Sequence, residues 1–197
     1  MIIVQIAGFL GSGKTTFMIR LGRRLGELGK RTVAIVNEIG EVGIDGDVLE
    51  SHGLKTVELT EGCICCSLSG SLQNTLKMVK KEFSPDYILI EPTGLALPNR
   101  INRIIRTSMV EPEKVITIAL VDAFRADDLI RETKAFLTRQ VEDADIVAIN
   151  KVDMIDPSDL LRIIDMVEEL DPRMVTVQIS ARTGSGVNEL VNKVGIV

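Results

Sequence analysis

Cysteine is scarce and confined: the 197 residues hold three, Cys63, Cys65 and Cys66. Three thiols within four positions cannot staple a fold in pairs, which excludes a disulfide-framed secreted domain and predicts a reducing cytoplasm. Positive charge is also in deficit, with 23 Lys and Arg against 28 Asp and Glu, a net −5. Such a surface repels phosphodiester backbones and anionic bilayers, so neither nucleic acid nor a membrane is expected as a partner. Long hydrophobic runs are missing as well. The longest uncharged stretches, residues 1–13 and 62–76, are interrupted by Gln, Gly or Ser. Both fall short of the roughly 18 consecutive apolar residues that a spanning helix needs. The first also lacks the basic start of a secretory signal. No repeat, low-complexity tract or linker interrupts the chain, and its length suits one medium-sized domain rather than two, so residues 1–197 are expected to form a single unit.

Short β-branched runs alternate with longer amphipathic ones. Strands are expected at Ile2–Ala7, Thr32–Asn37, Thr56–Leu59, Tyr87–Glu91, Val115–Val121, Ile146–Asn150 and Val175–Ser180. Most are solid Val, Ile and Leu rather than alternating with polar residues, as strands buried on both faces require. Helices are expected at Lys14–Gly29, Leu68–Glu82, Pro98–Arg106, Ala123–Ala135, Pro157–Leu170 and Val187–Val194. In the first, Phe17, Leu21, Leu25 and Leu28 recur at three- and four-residue spacing, with Arg20, Arg23, Arg24 and Glu27 opposite as ordinary surface. Met18, Met78 and Met166 read as core filling. This alternation predicts an α/β domain with a doubly wound, mostly parallel sheet and helices on both faces. Residues 38–55 hold four glycines and no clear element.

Gly8 to Thr15 fits G-x-x-x-x-G-K-[ST], between a buried strand and a helix. Gly11, Ser12 and Gly13 let successive amides turn inward onto phosphate oxygens, and the helix start adds its positive end. Lys14 would neutralise the β and γ phosphates, Thr15 would ligate Mg²⁺, and Thr16 would reach the α-phosphate. Phe9 is expected to pack rather than touch nucleotide. At the end of a later strand stands Asn150-Lys151-Val152-Asp153. A carboxylate at Asp153 can accept from both N1–H and the exocyclic amine of guanine, a donor pair that adenine lacks, so the pattern favours GTP. Lys151 would lie along the base, Asn150 would brace the loop, and Ser180-Ala181 would supply the turn whose amide meets the base carbonyl. Glu91 ends a buried strand, the usual place of an acid serving Mg²⁺, and runs into Pro92-Thr93-Gly94, where the Gly94 amide could meet a γ-phosphate. No glutamine is positioned to orient water, so slow hydrolysis without a partner is expected.

Glu61-Gly62-Cys63-Ile64-Cys65-Cys66 is unusual for a small domain. Free cysteines are commonly small buried hydrophobes. Three so close together after a glycine favour a soft or borderline ion instead, Zn²⁺, Cu(I) or Ni²⁺, with a fourth position for carboxylate or water. Glu38 and Glu41 are candidate additional ligands, whereas His52 reads as a loop residue. Arg100, Arg103 and Arg106 read as a solvated helix face.

With residues 8–16, 37–45, 61–68, 91–98 and 140–153 in view, the chain resembles the CobW/HypB/UreG family of P-loop GTPases, most closely its CobW-like branch. That resemblance implies GTP binding and hydrolysis with Mg²⁺, exchange to GDP, dimerisation around nucleotide, and delivery of metal to a client metalloenzyme or service of a cofactor enzyme. It makes residues 37–45 the first switch, with Asp45 near Mg²⁺, and groups Lys14, Glu91 and Asp45 about the reacting phosphate. It makes Cys63, Cys65 and Cys66 a transit site for Zn²⁺ or a similar ion. Two departures stand out. The second, often His-rich, domain of the branch is not expected here, and Leu97 replaces its usual acid. A GTP-gated docking switch without metal transfer is the alternative. An ATP-dependent kinase on the same fold is disfavoured by Asp153.

Overall fold

The computed structural model describes residues 1–36, 55–58 and 68–196. Its strands are β1 (Ile2–Gly8), β2 (Thr32–Val36), β3 (Lys55–Glu58), β4 (Tyr87–Glu91), β5 (Lys114–Asp122), β6 (Ile146–Asn150) and β7 (Thr176–Gln178). They form one seven-stranded sheet in the order β3-β2-β4-β1-β5-β6-β7, every pair parallel. β1 lies at the centre, Ile2–Gln5 beside Tyr87–Ile90 and Ile2–Gly8 beside Lys114–Leu120. All strands therefore end on the same edge, where ligands of open α/β sheets sit.

The lack of apolar/polar alternation has its cause in two covered faces. On one, Val4 and Ile6 of β1 meet Phe17, Leu21 and Leu25 of α1 (Lys14–Glu27) and Leu190 and Val191 of α6 (Val187–Lys193). On the other, Ile3 meets Leu72, Leu76 and Val79 of α2 (Leu68–Phe83) and Ile101 and Ile105 of α3 (Pro98–Thr107). Farther along that face, Ala7, Val121 and Ile149 pack under Leu137 and Val141 of α4 (Ala126–Val141) and Ile163 and Val167 of α5 (Pro157–Glu168). Among the described residues, no helix is long and apolar enough to cross a membrane.

Boundaries depart from expectation where polar groups intervene. The helix expected over Ala123–Ala135 is instead a 3₁₀ turn at Ala123–Arg125 followed by α4, which continues to Val141. The turn forms because Asp122 Oδ1 accepts the Phe124 amide at 3.1 Å. The continuation follows from Leu137, Gln140 and Val141, a buried stripe beyond a mostly exposed polar segment. A break at Thr133 (φ −134°) divides the two parts, with its hydroxyl donating to Leu129 O at 2.7 Å. α1 stops at Glu27, and Gly29 takes φ +71° just beyond it. β7 is trimmed to three residues because the Ser180 amide turns to Ser185 O at 3.0 Å.

Leu21→Ala should cost about 3 kcal/mol and lower Tm by roughly 6–12 °C, since Leu21 is wholly buried between α1 and the sheet. Leu161→Ala, at a side chain that is 67% exposed, should stay within about 0.5 kcal/mol in the same thermal unfolding measurement.

Candidate functional site

The loop between β1 and α1 reaches its shape through Gly13, whose φ of +94° suits glycine alone, and where a Cβ would lie 2.4 Å from Asn150 Nδ2. Gly13 caps α1 without a side-chain cap bond, leaving the helix start open toward the sheet edge. Lys14 is 6% exposed and donates from Nζ to Phe9 O at 3.1 Å. Thr15 Oγ1 donates to Glu91 Oε1 at 2.8 Å, joining the phosphate loop to the end of β4. Glu91 Oε2 and Ser12 Oγ are buried with no hydrogen-bond partner.

Burial holds the Lys14 ammonium below the usual lysine range, with the Glu91 carboxylate pulling the other way. Burial likewise lifts Glu91 above the usual carboxylate range, opposed by the Thr15 hydroxyl and by Lys14. A site with a desolvated cation, a desolvated acid and two orphaned oxygens fits a phosphate tail on Lys14 and the loop amides. It also fits a hard cation on Thr15 with Glu91 behind it. When bound, that ion would supply charge neutralisation between phosphate oxygens.

The end of the site expected to read the base is built from three strand ends. Asn150, 2% exposed, donates to Ser12 O at 2.7 Å and accepts the Ala181 amide at 2.8 Å. It thereby ties the phosphate loop to the turn after β7. Lys151 adopts the left-handed conformation (φ +69°) and sends Nζ to Asp122 Oδ2 at 2.8 Å. Asp153 is held below the usual carboxylate range by the Ser180 hydroxyl, with the Arg182 guanidinium 3.0 Å away. Thr16 lies exposed at the first turn of α1.

The segment after β4 closes on the phosphate loop. Gly94 is so close to it that a Cβ would stand 2.6 Å from Leu10 N. Gln140, 1% exposed in α4, donates to Ala96 O at 3.0 Å and to Gly94 O at 3.3 Å. Phe9 packs edge-on against Phe136 of α4, ring centres 5.6 Å apart.

Several supporting residues escaped the sequence reading. Arg20, expected as plain surface, donates Nε to Ala181 O at 2.7 Å and Nη2 to Arg182 O at 2.5 Å, buttressing the turn after β7. Nothing in a helical repeat marks that role. Asp122 had a visible signal, an acid ending a buried strand as Glu91 does. Met166 lies against Arg162 Nη1 at 3.5 Å rather than in the core. Arg100, Arg103 and Arg106 are exposed. Glu38, Glu41, Asp45, His52, Cys63, Cys65 and Cys66 lie outside the described residues. Among the described residues, no group of three metal-ligating side chains is present.

Residues 2–178 match the CobW/HypB/UreG nucleotide-binding domain. The chain belongs to that family. This CobW/HypB/UreG member is 34% identical over 209 residues to the zinc chaperone CobW of Sinorhizobium sp, an alignment covering 91% of this chain and 58% of that protein. To the zinc chaperone YeiR of Escherichia coli it is 35% identical over 154 residues, covering 77% of this chain and 47% of the relative. It thus spans about half the length of the curated relatives it matches. The crystal structure of the hydrogenase maturation factor HypB from Archaeoglobus fulgidus shares its fold, with a TM-score of 0.71 at 22% identity over 100% of this chain and 90% of that one.

Asn150→Ala removes two buried hydrogen bonds and should cost about 2–3 kcal/mol, read as a lower midpoint in chemical unfolding. Gly94→Ala forces a methyl into the Leu10 backbone, so a fluorescent GTP analogue should bind at least tenfold more weakly in equilibrium titration, while GDP binding holds within about threefold.

Proposed function

We propose that the chain is a Mg²⁺-dependent GTPase of the metallochaperone kind, in which nucleotide state governs binding of a Zn²⁺-class ion at Cys63, Cys65 and Cys66 and its release to a client metalloenzyme. The observation that carries the nucleotide half is the convergence at one sheet edge of Thr15 on Glu91, Asn150 on Ser12, and an ionised Asp153 beside Ser180. In this reading Lys14 and the loop amides hold the phosphates and Thr15 holds Mg²⁺, with Glu91 and Asp45 near the reacting end. Asp153 selects guanine, flanked by Lys151 and the Ser180-Ala181 turn. Gly94 senses the γ-phosphate, and its contact with Leu10 is released when GTP becomes GDP.

The metal half rests on sequence: three cysteines in four positions, with Glu38 and Glu41 upstream. The zinc-chaperone names of the CobW and YeiR relatives support it. We treat residues 1–197 as one nucleotide-binding unit of cytoplasmic type. A second reading, a GTP-gated docking module without metal transfer, is favoured by three exposed apolar side chains. Leu10 is 74% exposed, Leu95 73% and Phe124 61%, and they sit on the phosphate loop, beside Gly94 and just past Asp122 respectively. A nucleotide-dependent second copy or a client would cover them.

Equilibrium dialysis against Zn²⁺ with a nonhydrolysable GTP analogue and with GDP separates the readings. Metallochaperone coupling predicts one ion per chain, an affinity differing at least fivefold between the nucleotides, and loss of binding in Cys65→Ala. Equal Zn²⁺ affinity in both states removes the coupling and leaves the docking module.

A further inference from the structure

At the end of β5 one carboxylate holds two cations that belong to opposite ends of the site. Asp122 is fully buried; its Oδ2 accepts from both Lys151 Nζ and Arg125 Nε at 2.8 Å, and its Oδ1 accepts the Phe124 amide at 3.1 Å. Lys151 belongs to the base-reading loop. Arg125 reaches the other way, donating Nη2 to Leu10 O in the phosphate loop at 2.5 Å. Its guanidinium lies across the loop there, 3.0 Å from where a Gly11 Cβ would stand.

Holding Leu10 O has a geometric consequence. The carbonyl of Leu10 and the amide of Gly11 share one planar peptide and point in opposite directions. A guanidinium that fixes the carbonyl outward fixes the Gly11 N–H inward, toward the hollow where phosphate oxygens would sit. The other side of Leu10 is occupied too, because Gly94 packs against its amide nitrogen. Arg125 and the segment after β4 therefore grip the same residue from its two ends. We infer that Arg125, anchored by Asp122, is a positioning residue that orients the Gly11 amide at the γ-phosphate end of the loop and so sets the preference for a triphosphate over a diphosphate.

This rests on the nucleotide-binding reading above and adds a determinant of which nucleotide is held. The pairing is suited to that task. Asp122 is fully buried, and losing the Arg125 arm would leave its carboxylate on Lys151 and the Phe124 amide alone, which favours Arg125 staying in place whether or not nucleotide is bound. The shared carboxylate leaves one net positive charge beside a tail that carries several negative ones.

The test is equilibrium titration of the full chain with fluorescent GDP and a fluorescent nonhydrolysable GTP analogue, both with Mg²⁺. Arg125→Ala should weaken the triphosphate about tenfold and GDP less than about threefold. Arg125→Lys, which keeps one charged donor but loses the fork, should fall between the alanine variant and the unsubstituted chain. Equal weakening of both nucleotides, or no change in either, overturns the inference. Should the alanine variant fail to fold, the lysine variant decides: a triphosphate-to-diphosphate ratio matching the unsubstituted chain overturns it, and a ratio lowered about threefold supports it. An unsubstituted chain that binds neither nucleotide defeats the nucleotide-binding reading instead.

Discussion

One side-chain amide joins three loops that are far apart in sequence. Asn150 donates to the phosphate loop at Ser12 O and accepts from the last loop at Ala181 N, while its own backbone begins the loop that carries Lys151 and Asp153. An amide is the side chain suited to this position, since it offers a donor and an acceptor without a charge to desolvate. It also explains the neighbouring glycine, because Gly13 has the Asn150 nitrogen where a side chain would begin. The relative placement of these three loops at the sheet edge rests on this contact.

Around that fixed point the site stores electrostatic imbalance. Lys14 and Glu91 are both buried, and burial drives each away from its charged form more than the attraction between them restores it. Glu91 Oε2 and Ser12 Oγ lack partners. Buried polar groups are normally satisfied, so a cluster of exceptions marks where binding free energy is to be recovered. A polyanion beside Lys14 and a divalent ion beside Thr15 would correct both imbalances together.

α4 links this chemistry to the rest of the domain. From one helix, Phe136 supports the phosphate loop at Phe9 and Gln140 holds the segment after β4, while Arg125 just before it reaches Leu10. The break at Thr133 separates the first turns of the helix, where Leu129 and Ile130 are only partly buried, from the end that buries Leu137, Gln140 and Val141 and makes the Phe136 and Gln140 contacts. Any displacement of the Gly94 segment would therefore be felt directly by α4, through hydrogen bonds rather than through the core.

The sequence by itself determined the layered architecture and the chemistry of the phosphate loop. Solid Val and Ile runs have to be covered on both faces, and a Gly-rich turn ending in Lys14-Thr15 between strand and helix admits few uses. Those signals are local, because each lies within one run or one turn. Tertiary structure alone decided the supports: Arg20 under Ala181, Lys151 on Asp122, Arg125 on Leu10, Gln140 beneath Gly94. Each pairs residues distant along the chain, and nothing in a run of helix or strand says which carbonyl a long side chain will find. The same reason lengthened α4, since only the packed sheet reveals that Leu137 and Val141 have a face to bury against.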